Sequence, residues 1–111
     1  MRKIKTMKFK YNPDKSYGLP VSLSKDMLGT YEFKQFAYVG TINSTIFASN
    51  EPFKESIRTE IKPKGLGFLL YLNKKLLDKS EITPGMNGIE IYEDNDDLFF
   101  IFNGNLEDVY K

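Results

Sequence analysis

The sequence contains no cysteine, no histidine and no tryptophan, and these absences remove several kinds of chemistry. Without cysteine the chain forms neither disulfides nor thiolate zinc sites. Without histidine it lacks the most usual general base near neutral pH and the commonest metal ligand. Because no Gly-x-Ser-x-Gly motif supplies a serine nucleophile instead, we expect a protein without enzymatic activity, metal or cofactor.

Long apolar runs are also missing. No stretch approaches the roughly 18 apolar residues that a membrane span requires, and no signal-peptide core follows Met1-Arg2-Lys3. The 111 residues, of which 41% are hydrophobic and 14% aromatic, suit a single globular domain over 1–111. We therefore expect a cytoplasmic protein that has no membrane partner.

Charge is nearly balanced overall but unevenly distributed. The net charge is +1, yet residues 1–64 carry 12 basic and 6 acidic side chains, whereas residues 65–111 carry 4 basic and 9 acidic ones. This asymmetry fits a basic surface that meets a polyanion. It fits equally well a molecule in which charges of one half pair with those of the other.

The same segment occurs twice, 49 residues apart. The first copy starts at Gly18 and the second at Gly67, and they align without a gap over sixteen residues. Ile42 and Ile91 extend the match further along the chain. Identical pairs are Gly18/Gly67, Leu23/Leu72, Lys25/Lys74, Leu28/Leu77 and Glu32/Glu81. A unit this short cannot bury its own apolar face, so the copies are expected to pack on each other.

Apolar and polar residues alternate with a period of two over most of the chain, which is typical of half-buried strands. Ser24 and Asn73 each stand where they cap the first turn of a short helix. The continuous apolar run 98–102 is predicted to lie in the core between the repeats or between subunits. We predict strands at 7–11, 19–23, 36–42, 45–48, 58–62, 68–72, 89–92 and 98–102, and helices at 25–29 and 74–79.

The second copy resembles the AbrB/MazE/SpoVT superfamily over nearly all of residues 58–103. The resemblance is carried by Ile61-Lys-Pro-Lys-Gly-Leu-Gly-Phe-Leu-Leu-Tyr-Leu-Asn-Lys-Lys-Leu-Leu, by Glu81-Ile-Thr-Pro-Gly-Met-Asn-Gly-Ile-Glu-Ile-Tyr and by Leu98-Phe. It implies a mostly β fold with short helices: a tandem AbrB-like swapped-hairpin β-barrel, or pseudo-dimer. The repeats would span 7–50 and 58–105, joined by a linker at 51–57.

The resemblance also implies DNA binding and transcription regulation. Family DNA readers usually carry arginines in the first loop and around the short helix, whereas this chain has lysines there and only two arginines, Arg2 and Arg58. Lysine suits phosphate better than bidentate base reading. The expected DNA-binding residues are Lys8, Lys10, Lys15, Lys25, Lys62, Lys64, Lys74 and Lys75.

Two alternatives stay open for these lysines. They keep strand faces solvated and discourage edge pairing, or the barrel is a protein-binding module, antitoxin-like or inhibitory, without DNA binding. Further association into a homo-oligomer is compatible with both. The acidic cluster at Glu93–Asp97 lacks the loop glycine and terminal glutamate of a calcium loop, and we interpret it as a solvated hairpin tip. Lys64-Gly-Leu-Gly67 lacks a following Gly-Lys-Ser/Thr and is interpreted as a turn rather than a phosphate-binding loop.

Overall fold

The computed structural model describes residues 2–24, 35–65, 67–94 and 97–105. These ranges contain eight strands and one short helix, and the fold is mostly β, as predicted. The predicted helix over 25–29, with Lys25, lies outside the described residues. The elements are β1 Arg2–Tyr11, β2 Leu19–Ser24, β3 Phe36–Ile42, β4 Thr45–Ser49, β5 Ile57–Lys64, β6 Gly67–Leu72, α1 Lys74–Lys79, β7 Gly85–Asp94 and β8 Asp97–Asn105.

The eight strands form one antiparallel sheet in the order β1-β7-β8-β4-β3-β5-β6-β2. The sheet curves into a nearly closed barrel, so that its first and last strands, β1 and β2, meet at a seam. There the Nζ of Lys5 donates to the carbonyl oxygen of Ser22 at 2.5 Å. At the open edge of β2, this carbonyl therefore has a side-chain donor in place of the backbone amide that a neighbouring strand would provide. Within the described ranges, no helix has the length and apolar character to cross a membrane.

Counted around the barrel, with β1 next to β2 at the seam, the strand order does not change when the first four strands are exchanged with the last four. The hairpin β3–β4 pairs with β5 through β3, and the hairpin β7–β8 pairs with β1 through β7. Two pairs, β2 with β6 and β4 with β8, each join a strand to its counterpart in the other half. Each half therefore completes the sheet of the other, and neither has a closed sheet of its own.

The 49-residue repeat describes β2 and β6 well. A Cβ on Gly18 would lie 2.0 Å from the carbonyl oxygen of Leu72, and a Cβ on Gly67 would lie 2.2 Å from that of Leu23. Leu23 and Leu72 are themselves separated by 49 residues. Both glycines are thus required by a close backbone approach at equivalent places.

The repeat offset changes in the hairpins, and the predicted match of Ile42 with Ile91 is wrong. Ile91 is fully buried, whereas Ile42 is 46% exposed. Phe47 pairs with Phe99, 52 residues away, and the same spacing relates Val39 to Ile91. The physical reason is that the second half has three more residues between equivalent positions: Val39 follows Leu23 by 16 positions, whereas Ile91 follows Leu72 by 19.

The core fills the barrel with the inward side chain of every second residue. The run 98–102, predicted to lie in the core between the repeats or between subunits, is buried in this chain only at alternate positions: Leu98 and Phe100 are buried, whereas Ile101 is 38% exposed. In α1, Leu76 and Leu77 are buried, and the predicted cap is present. The largest fully buried side chains are those of Phe100, Leu23, Ile46, Leu70, Leu72, Leu77, Ile89, Ile91, Leu98 and Val21.

Candidate nucleic-acid interface

The first strand of each half carries lysines on its outer side. In β1, Met7 and Phe9 pack against the core while Lys8 and Lys10 are exposed. In β5 the exposed Lys62 directly follows the buried Ile61, and Lys64 is exposed two residues later. Successive side chains of a strand point to opposite sides, so the apolar positions that fill the barrel also force these lysines outward.

These two strands flank the pair β6–β2. Lys62 of β5 is paired with Leu69 of β6, and Leu69 is paired with Ser22 of β2. The carbonyl oxygen of Ser22 accepts the hydrogen bond from Lys5 of β1 across the seam. Neighbouring strands lie about 4.8 Å apart, so β5 and β2 are about 10 Å apart. We call the outer side of β5, β6, β2 and β1 the lysine face; its lysines are Lys8, Lys10, Lys62 and Lys64.

The lysines of the two halves lie toward opposite ends of this face. Lys64 pairs with Gly67 at the start of β6, whereas Lys10 precedes Tyr11, whose hydroxyl contacts Asp78 of the helix that follows β6. The five residue steps of β6 span about 17 Å. The face therefore carries a basic pair at each of two diagonal corners, rather than one convergent cluster.

The centre of the lysine face is uncharged. The outward residues of β6 and β2 include Leu69, Ser22 and Pro20, which is paired with Tyr71. Tyr71 is 45% exposed, and its hydroxyl accepts a hydrogen bond from the amide of Gly18 at 2.6 Å. Among the outward residues of these four strands within the described chain, Glu60 is the one carboxylate.

The remaining predicted lysines do not join the lysine face equally. Lys74 is held by both carboxylate oxygens of Asp78, at 2.6 and 2.8 Å, so its charge is compensated inside the molecule. Lys75 is exposed on α1, and Lys15 is exposed in the turn after β1. The structure therefore keeps Lys15 and Lys75 accessible at the α1 end and makes Lys74 an ion-pair partner.

A short hydrogen-bonded chain joins the end of β1 to α1. Tyr11 donates its hydroxyl to Asp78, which also receives Lys74. Burial, followed by the hydrogen bond to Asp78, raises the pKa of Tyr11 to about 12. The hydrogen bond from Lys74, followed by that from Tyr11, lowers the pKa of Asp78 below its usual value. This chain fixes the end of β1 that carries Lys10.

Both arginines have intramolecular partners. Arg2 lies 3.5 Å from a carboxylate oxygen of Glu93, and the guanidinium of Arg58 lies 4.5 Å above the ring of Phe36. Lys3 also pairs with the second half, at 3.6 Å from Glu90. Pairing between the halves, one of the two interpretations of the charge asymmetry, is thus present at the start of β1. None of the ion pairs between described residues involves a lysine of the lysine face.

Two smaller predictions concern turns between strands. Lys64 pairs with Gly67 across a tight turn in which Gly65 has a φ of 59°, the left-handed region that glycine favours. The hairpin tip predicted at Glu93–Asp97 includes residues 95 and 96, which lie outside the described ranges, so this prediction stays untested. Tyr11 and Asp78 are 67 residues apart in the chain, and no local sequence pattern predicts their contact.

The chain was compared with family models, with curated proteins and with solved structures, and nothing matches it in any of the three comparisons.

Proposed function

We propose that this protein is a DNA-binding transcription regulator that contacts duplex phosphates through lysines of both halves. One observation carries the proposal. Four exposed lysines, which make no ion pair with other described residues, stand on the two strands that flank an uncharged β6–β2 surface. Lysine ammonium groups neutralise phosphates without reading sequence. The accessible Lys15 and Lys75 extend the positive surface at one end.

We further propose that the barrel is an AbrB-like swapped-hairpin pseudo-dimer. The support is the strand order, which survives exchange of the halves, together with the reciprocal pairing of each hairpin with the other half's first strand. At the offset of 52, this two-fold relation makes Lys10 of β1 equivalent to Lys62 of β5, so each half places one of these lysines on the lysine face, whereas the equivalent of Lys8 is Glu60. A duplex with two antiparallel strands offers phosphates in a matching two-fold arrangement.

Sequence selectivity of the proposed contact is low. Bidentate recognition of guanine favours arginine, and both arginines are engaged, Arg2 with Glu93 and Arg58 with Phe36. Phosphate contacts therefore supply most of the affinity. The exposed Tyr71 at the centre of the face would approach a groove of the bound duplex.

The test compares two sets of lysine variants in a fluorescence-anisotropy titration with a labelled duplex. Changing Lys8, Lys10, Lys62 and Lys64 together to Ala should abolish binding. The control changes Lys54 to Ala, because Lys54 is exposed and lies neither on the lysine face nor on α1. Binding that survives the fourfold change, or that the control weakens equally, contradicts the proposal.

A protein-binding module is the second candidate, and a different surface favours it. Ile42 is 46% exposed and lines a shallow, mostly apolar depression with Thr41 and Phe53. Exposed apolar surface of this kind is used for protein contacts. If Ile42→Ser removes binding of a partner protein while duplex affinity stays unchanged, the protein contact uses this surface rather than the lysine face.

A further inference from the structure

The seam between β1 and β2 is the one place in the described sheet where two adjacent strands do not pair. β1 and β2 stand at the two ends of the strand order and share no backbone ladder. Their Cα atoms lie more than 8 Å apart over most of the seam, whereas paired strands lie about 4.8 Å apart. The gap therefore comes close to the width of about 10 Å that one intervening strand fills.

The connection between β1 and β2 explains why the seam stays open. In the second half, the equivalent strands β5 and β6 pair directly across the tight turn at Gly65. Between β1 and β2 the chain instead makes a separate turn, in which the amide of Lys15 donates to the carbonyl oxygen of Asn12 at 3.1 Å. Residues 12–18 thus lead the chain away from a tight hairpin, and the edge of β1 that β2 would cover stays open.

The open seam leaves apolar side chains of β1 incompletely covered. Ile61 of β5, the equivalent of Phe9, is only 5% exposed. Phe9 itself is half-buried, and so is Met7 on the same side of β1. A strand placed in the seam would cover both with its inward side chains.

The outer side of β1 has positive charge that no neighbouring strand matches. Lys8 and Lys10 are exposed and lie opposite Gly88 and Met86 of β7. Across the seam, β2 contains no charged residue. Opposite charges in directly opposed positions stabilise a strand pair, so this edge fits a strand with carboxylates on its outer side.

The other edge of β1 already pairs with an acidic strand. Arg2 lies 3.5 Å from a carboxylate oxygen of Glu93, and Lys3 lies 3.6 Å from one of Glu90, both on β7. A second copy of β1 fits the open edge poorly, because its lysines would stand opposite those of the first copy, and like charges in opposed positions destabilise a strand pair.

Backbone groups of β2 also face the seam. The carbonyl oxygen of Ser22 points into it and accepts from Lys5. The N–H of Ser22 points the same way, because both backbone groups of a residue in an antiparallel strand face the same edge. A strand in the seam would bring its own amide to this carbonyl and release the Lys5 side chain. Pro20 on the same edge has no N–H, so β1 offers the more complete edge.

We propose that the open edge of β1 binds an extended segment of a partner protein in which acidic and apolar residues alternate, added as a strand in the seam. The apolar side chains of this segment would cover Met7 and Phe9, and its carboxylates would stand beside Lys8 and Lys10. This binding does not depend on duplex binding, although both ligands use these two lysines and should therefore compete.

The probe is a labelled peptide of alternating Glu and Val, about as long as β1, titrated with the wild-type protein in fluorescence anisotropy. Its matched control replaces every Val by Pro, which keeps the carboxylates and prevents pairing as a strand. We expect saturable binding of the Glu-Val peptide alone. Equal affinity for both peptides would mean attraction between charges only and overturns the proposal. So does an absence of saturable binding, which would mean that the lysines only discourage edge pairing.

Two double variants locate the site. Lys8→Gln/Lys10→Gln should weaken binding of the Glu-Val peptide at least about threefold, because two opposite-charge pairs between strands are lost. Lys62→Gln/Lys64→Gln removes the same charge from β5, which is paired on both sides, and should leave the affinity near that of the wild type. In hydrogen-exchange NMR, the Ser22 amide should exchange more slowly once the peptide is bound. Equal weakening by the two double variants, or unchanged exchange at Ser22, overturns the assignment to the seam.

Discussion

The salt dependence of duplex binding tests the lysine face quantitatively. Four lysines that each neutralise one phosphate predict a slope of log affinity against log salt of about −3.6, or about a hundredfold loss between about 50 and 200 mM salt. Each Lys→Ala change on the face should make the slope less steep by about 0.9. Fluorescence anisotropy at five salt concentrations gives the slope for the wild type and for each variant.

The geometry adds a second requirement. The two basic pairs are separated by about 17 Å along β6, which corresponds to about five base-pair steps of B-DNA. If one duplex spans both pairs, the double variants Lys8→Ala/Lys10→Ala and Lys62→Ala/Lys64→Ala should each reduce the slope by about 1.8. With DNA hairpins of increasing stem length, the slope of log affinity against log salt should double once the stem is long enough to reach both basic pairs.

Two results would refute this reasoning. The first is a wild-type slope shallower than about −1, since that corresponds to about one phosphate contact. The second is a change of slope in Lys54→Ala as large as in Lys62→Ala. Lys54 lies in the segment between β4 and β5, beside Phe53, whose ring packs 5.0 Å from that of Phe47 on β4. It therefore belongs to the wall opposite the lysine face.

Further predictions concern stability and are measured by urea unfolding. Gly18→Ala should lower the free energy of unfolding by about 1–3 kcal/mol or more, because the new Cβ meets a backbone carbonyl. Gly65→Ala has open space around it and should lower the free energy of unfolding by about 1 kcal/mol, from its positive φ alone. Equal losses in the two variants would contradict the steric explanation. Tyr11→Phe should remove a pH-dependent contribution: the raised folded-state pKa means that this contribution is present below pH 10 and is lost as pH rises toward about 12. The wild type and Tyr11→Phe should therefore converge in stability across that range. The pKa of Asp78 is lowered in the folded state, so the contribution of its carboxylate to stability is present above the usual pKa of 3.8 and is lost in more acidic solution. Asp78→Asn should abolish this acid dependence of stability. Leu77→Ala should cost about 2–5 kcal/mol, because the side chain is fully buried, and a cost under about 1 kcal/mol would show that α1 contributes little to the core.

Local patterns were sufficient to place most elements of the fold. The alternation in β1 predicted which of its lysines are exposed, although the strand begins five residues earlier than expected. The helix bounds Lys74–Lys79 were confirmed, because Asn73 is a strong capping residue and its side chain accepts from the amide of Leu76. These features depend on neighbouring residues alone.

Features that depend on distant pairing were not accessible from the sequence. An alignment without gaps could not reveal that the repeat offset changes from 49 in β2 and β6 to 52 in the hairpins. The arrangement of lysines at opposite corners follows from strand directions that are set by long-range pairs such as Met7 with Ile89. The Lys74–Asp78 ion pair could have been predicted from the sequence, since residues four apart on a helix are neighbours. It was not predicted, because Lys74 was assigned to DNA binding instead.

The pairing of β1 with β7 also constrains how the chain reaches its native state. Arg2 faces Glu93 and Tyr11 faces Gly85, so the N-terminal strand finds its partner only when most of the polypeptide is available. During synthesis on the ribosome this segment must remain exposed until β7 has emerged. Folding should accordingly be late and all-or-none, with a slow rate typical of non-local β topologies, and truncated nascent chains should be protease-sensitive along their entire length.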